Sequence, residues 1–220
     1  MVAPGAWGRE LLALRLAQPD RRSCGAAVLV VAEALANPRY ARWLIVGGAE
    51  RVAGETLAMH RRVTGPVDVA GRLQPPWPRS LGTPPWAVAR QLTARTGVRH
   101  TVRWARGRRG RRRAWEGLVA ALEEGRPVPV YVGSRALPRH VLLALVPARA
   151  PRDGTADGPL APRPRATADS VRVHDPATGG QRAFPADRFR DGALGTGWPR
   201  PWFVVLPATA RAPGAGSGLR

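Results

Sequence analysis

The chain has 220 residues, of which 44% are hydrophobic and 23% charged, enough for one domain with a real core and too few for two of ordinary size. Its formal net charge is +20, every one of the 35 basic residues is arginine, and no apolar run approaches the roughly 20 residues that cross a bilayer. The single cysteine, Cys24, excludes an intrachain disulfide and a cysteine-built zinc site. The absence of lysine points to a GC-rich coding bias as the main source of the charge. Whatever its origin, such charge attracts polyanions at low salt.

Met1 to Arg22 shows no signal-peptide pattern. Its apolar stretch Leu11-Leu12-Ala13-Leu14 is short, preceded by Glu10 and broken by Arg15. The expectation is a soluble, cytoplasmic protein. Leu11 to Ala17 reads as a short helix or turn, and Pro19 to Ser23 as a polar loop. Ser23 can cap a helix that runs from Cys24 to about Leu35 and stops at Asn37-Pro38. Tyr40 to Val46 continues as a second apolar piece, ending at Gly47-Gly48, and Glu50 to Arg62 reads as an amphipathic helix. Residues 65 to 85 are a Gly- and Pro-rich loop. It leads into a helix from Pro85 or Trp86 to Thr96, with proline in its first turn and Gly97 closing it.

Val98 to Trp104 alternates and is β-branched, which predicts a strand. Arg106 to Arg113 reads as a solvated basic loop, with weak polyanion binding as its functional reading, and Ala114 to Glu124 as a helix. The second half turns to strands: Pro127 to Val132, His140 to Val146, Ser170 to His174, Gln181 to Phe184 and Trp202 to Leu206. Residues 149–169 lack periodicity and read as a disordered insertion, and Thr209 to Arg220 as a flexible tail. Helices followed by an antiparallel sheet make an α+β pattern over one domain, residues 1–208.

The residues that suggest chemistry begin at Gln18-Pro19-Asp20-Arg21-Arg22-Ser23-Cys24-Gly25. A thiol attacks as thiolate, and a helix N-terminus favours negative charge. Cys24 opens an apolar helix, and Gly25 permits close approach of a substrate backbone. The Gln18 amide can return across the loop and donate, with the Cys24 N–H, to a tetrahedral oxyanion. His140 opens an apolar strand from which it can take the thiol proton. Asp175, at the end of a neighbouring strand, can hold the other imidazole nitrogen.

This set resembles the papain-like cysteine peptidases, most of all the bacterial branch that trims double-glycine leaders from secreted peptides, together with its stand-alone relatives. That resemblance rests on Gln18, on Cys24-Gly25 with the apolar Ala26-Ala27-Val28-Leu29, on His140-Val141-Leu142-Leu143-Ala144-Leu145, and on Val171-Arg172-Val173-His174-Asp175-Pro176. It covers residues 15 to 206 in patches. It implies a papain-like fold and a cysteine peptidase or amidohydrolase acting on a peptide or protein through a thioester on Cys24. His140 would be the base, Asp175 its orienting partner and Gln18 an oxyanion donor. No metal and no cofactor are implied. Two other readings stay open: a transglutaminase-like acyl transferase, and a non-catalytic peptide- or polyanion-binding protein on the same fold. His60 reads as solvent-facing on its helix, His174 as pointing away from the Asp175 face, and His100 as a weaker base.

Overall fold

The computed structural model describes residues 6–14, 16–145, 169–194 and 197–208. The expected insertion, apart from Asp169, and the tail from Thr209 lie outside the described residues.

A short helix α1 (Ala6–Ala13) precedes the central helix α2 (Cys24–Ala36). The sequence of α2, CGAAVLVVAEALA, is apolar on every side, and Cys24 through Ala32 are all buried. A helix apolar all round belongs inside a protein. Each fully buried Val or Leu there contributes about 1.5–3 kcal/mol relative to exposure. Asn37 ends α2 and starts the next helix. Its Oδ1 accepts the N–H groups of Arg39 and Tyr40 at 3.1 and 3.2 Å, with Pro38 in the first turn. Helix α3 (Pro38–Val63) is interrupted at Gly48, where φ is 63° and ψ −159°. The two pieces expected around Gly47-Gly48 are therefore two helical stretches meeting at one non-helical residue. A loop with one 3-10 turn at Arg79–Leu81 leads to α4 (Pro85–Thr96), closed by Gly97 in the left-handed region at φ 69°.

Strand β1 (His100–Trp104) follows, then α5 (Gly107–Glu123), β2 (Val128–Gly133), β3 (Pro138–Leu145), β4 (Ser170–Asp175), β5 (Gly180–Pro185), a short α6 (Ala186–Asp191) and β6 (Arg200–Pro207). The six strands form one sheet in the order β1-β6-β2-β3-β4-β5, antiparallel throughout. The architecture is α+β.

Two expectations change. Arg106 to Arg113 is not a loop: from Gly107 onward it forms the first two turns of α5. Arginine is a good helix former, and the apolar stripe of Trp115, Leu118 and Leu122 anchors those turns to the sheet. The first helix also lies upstream of the expected Leu11 to Ala17, at Ala6–Ala13. Helices cover both faces of the sheet. Along β3, Val141, Leu143 and Leu145 pack against α1 to α4, while Leu142 and Ala144 pack with α5 and α6. That alternation is the period of two of a strand. It explains why β2 and β3 read as continuous apolar runs.

Candidate active site

The loop before α2 is organised by Asp20. Its Oδ1 accepts the N–H groups of Arg22 and Ser23, both at 2.8 Å. Ser23 occupies the N-cap place and its carbonyl accepts Ala27 N–H at 2.8 Å, but its side chain makes no capping bond. The expected Ser23 side-chain cap is thus replaced by an Asp20 turn one step upstream. No side chain caps α2, so the positive end of the helix stays open toward Cys24.

Gln18 ties the two halves of the chain together. Its backbone N–H donates to Pro176 O at 2.7 Å, next to Asp175. Its side-chain Nε2 donates to Asp20 O at 2.6 Å, and its Oε1 is buried without a partner. One of the two amide hydrogens is therefore spent within the loop, and the other is what remains for a ligand.

His140 and Asp175 meet across β3 and β4. The pairing of Leu143 with His174 sets the register, and the hairpin before His140 is held by Trp202 Nε1, which donates to Ser134 O at 3.0 Å. His140 Nε2 lies 2.7 Å from Asp175 Oδ1. The carboxylate also accepts Ala177 N–H on Oδ1 at 3.0 Å and pairs with Arg182 Nη2 through Oδ2 at 3.1 Å. Burial pushes the Asp175 carboxyl up, but these partners outweigh it and hold it below its ordinary value. For His140, burial pulls downward, and hydrogen bonds to Asp175 and Cys24 together with both their charges prevail, raising it to about 9. These partners favour the protonated ring. With Nε2 on the carboxylate, Nδ1 is the nitrogen left for the Cys24 thiol. Cys24 itself is a free cysteine, only 6% exposed.

The structure therefore brings Cys24, His140 and Asp175 into one chain of contacts, with Gln18 anchored beside it. Three neighbours were not singled out in the sequence. Tyr131, buried in β2 beside Cys24, donates its hydroxyl to Thr83 O at 2.9 Å, and burial first, then Cys24, push its phenol well up. Thr83 lies directly on Gly25: a Cβ added there would stand 2.7 Å from Thr83 Cβ. Gly25 is thus filled by the chain's own loop and is not open to a substrate backbone. Arg182 is the third, on Asp175. A hydroxyl within the apolar run Pro127 to Val132 was the one available signal for Tyr131. Nothing local marks Thr83 or Arg182, because both arrive by tertiary contact.

The other histidines separate clearly. His60 is buried rather than solvent-facing. It sits beneath the Asp20 loop, and burial holds it below its ordinary value despite the nearby Asp20 charge. His174 is 1% exposed, and burial lowers it to about 4, so it is neutral. His100 donates through Nδ1 to Val98 O at 2.7 Å, and burial lowers it too. Of the four, His140 is the one carried upward.

Among the described residues no group of three or more His, Cys, Asp or Glu side chains is placed to hold a metal ion. No described helix is long and apolar enough to cross a membrane. No protein-family model, no curated protein and no solved structure matches the chain.

Proposed function

We propose that the protein is a papain-like thiol hydrolase that cleaves a peptide or amide bond through a thioester on Cys24. One observation carries this reading: His140 sits between the Cys24 thiol and the Asp175 carboxylate with its pKa raised to about 9. A structural histidine in a core is ordinarily neutral, as His174 and His100 are. A histidine kept protonated beside a thiol suits a thiolate–imidazolium pair.

In this mechanism the Cys24 sulfur attacks the carbonyl carbon, and the C=O electron pair moves onto oxygen. The uncapped N-terminus of α2 and the second amide hydrogen of Gln18 would donate to that charge. His140 then delivers its proton to the departing amine as the C–N bond breaks. Water attacks the thioester, His140 takes the water proton, and the acid leaves as the C–S bond breaks. Asp175 holds Nε2–H throughout, so Nδ1 stays aimed at the sulfur.

The experiment is the pH dependence of Cys24 alkylation by iodoacetamide, in the wild type and in His140→Ala. Fast alkylation at about pH 6, below a free thiol's pKa of about 8.5, that is lost in the variant supports the pair. An inert Cys24, or a variant that reacts like the wild type, ends the catalytic reading. Turnover of a peptide library then fixes the acceptor: if an added amine captures the acyl group, the enzyme is an acyl transferase instead.

A further inference from the structure

A strongly basic cleft lies on the face of the sheet opposite Cys24. It has a volume of about 650 Å³, opens between the first turns of α5 and helix α6, and is lined by Arg108, Arg109, Arg112, Arg190, Asp187 and Asp191. Because α5 and α6 pack on the second core and α2 on the first, the cleft shares no residue with the Cys24 site. We infer that this cleft binds the phosphate backbone of a nucleic acid.

Further cations, Arg111 and Arg200, crowd beside the cleft, outside its lining. Arg111 Nε donates to Arg190 O at 2.6 Å, which locks α5 to α6. Its guanidinium carbon and Arg200 Nη1 both come within 3.2 Å of the point where a Cβ on Gly192 would stand. Two like charges thus share the space above one glycine. Burial, followed by Arg200, holds the Arg111 guanidinium below its ordinary pKa. The lining residue Arg108 adds to this repulsion and Asp191 opposes it, so a further anion beside these cations is favoured.

The aspartates offset only part of this charge, and Asp191 acts on Arg111 against the neighbouring arginines. Asp187 Oδ1 accepts Arg188 N–H at 2.7 Å within its own helix turn, and the lining still counts four arginines to two aspartates. Elsewhere arginines find carboxylates at close range, as Arg72 does on Asp68 at 3.0 Å. In the cleft, Arg112 has, among the described residues, a loose pair with Glu116 at 3.7 Å, with both side chains largely exposed, and such a pair is worth little.

Guanidinium forks suit phosphate oxygens bidentately. Arginines spread over two helices exceed what a single phosphate can engage, and they match a chain of phosphates. Among the described residues the lining contains no aromatic side chain, so these residues offer bases no stacking platform. Recognition would be of the backbone, independent of sequence and steep in salt.

The test is fluorescence anisotropy of a short labelled single-stranded RNA across a salt series. The wild type is compared with R108E/R112E/R190E and with R39E/R42E/R61E, which changes the charge equally at exposed positions of α3. The cleft variant should lose binding by tenfold or more and flatten the salt slope by about 2, at roughly 0.7 per lost contact on a single strand. The α3 variant should keep most of its affinity. R108Q/R112Q/R190Q, with an unchanged thermal melt, separates lost contacts from lost fold and should weaken binding in the same direction. Equal losses in the cleft and α3 variants would reduce the site to bulk charge and overturn the inference. Displacement of the RNA by polyglutamate at equal charge would overturn it in favour of an acidic-peptide site. Absence of binding at low salt would overturn it outright.

Discussion

Asp175 is the residue on which the electrostatics of the site turn. It lowers the energy of a protonated His140, and it is itself held ionised by His140, Ala177 N–H and Arg182. Its replacement has a definite sign. Asp175→Asn removes the charge that favours imidazolium, so the His140 midpoint should fall from about 9 toward the ordinary value near 6.5. Histidine-labelled NMR titration reads this without a substrate; an unmoved midpoint would show that Cys24, not Asp175, holds the proton. Stability follows the same sign. A histidine raised on folding contributes stability that is complete below about pH 6.5 and fades as pH rises through about 9. The wild-type Tm advantage over Asp175→Asn should therefore shrink across that window.

Gly25 gives a second residue-scale prediction, and a packing one. Its missing Cβ makes room for Thr83, whose carbonyl in turn holds the Tyr131 hydroxyl beside Cys24. Gly25→Ala should overpack this contact at a cost of about 1–3 kcal/mol, with Tm falling by about 2–4 °C for each kcal/mol in a chain of this size. The double variant Gly25→Ala/Thr83→Gly should recover most of the loss, because the colliding atom is the Thr83 Cβ. Failure to recover would locate the strain elsewhere.

At the scale of elements, the sequence displayed its helices and strands wherever a local rule was strong. Asn37-Pro38 both stops α2 and starts α3. Pro85 and Gly97 bracket α4, and six β-rich runs became six strands. The misreadings share a cause. The first turns of α5 carry five arginines among seven residues, which hides helical periodicity, and only Trp115 and Leu118 docking on the sheet fix them. Helix α6 is six residues long, too short to announce itself. Sheet order was not legible, because β6 enters between β1 and β2 and no local pattern encodes a partner so distant in the chain. Gly48 was legible as a break but not as a hinge of fixed geometry. Its φ of 63° with ψ of −159° is backbone that only glycine adopts readily, and nothing lies within 4 Å of a Cβ there. Gly48→Ala should thus destabilise by about 1–3 kcal/mol through backbone strain alone. A denaturation midpoint that falls with an unchanged slope is the expected reading, and no change would mean that the two halves of α3 can straighten.

At the scale of the whole molecule, the site is built from the central helix of one core, α2, and two strands of the sheet, with Gln18 bonded to Pro176 across the join. The order of Cys24, His140 and Asp175 was legible because Cys24 opens α2, His140 stands near the start of an apolar strand, third in β3, and Asp175 closes β4. Their convergence depends on β3 and β4 being neighbours. The 35 residues from His140 to Asp175 are more than adjacent antiparallel strands need, and Leu145 stands opposite Arg172 in the register. A short turn can therefore join the two strands. Replacing residues 147–169 with a few glycines and an asparagine should leave the His140 midpoint near 9 and the Cys24 alkylation profile unchanged. Closure of the shorter loop costs less, by about 0.6 kcal/mol for each halving of its length, so the denaturation midpoint should hold or rise slightly. If the fold survives and Cys24 reactivity collapses, the excised segment supplies part of the site, and the contacts of His140 with Cys24 and Asp175 are not sufficient by themselves.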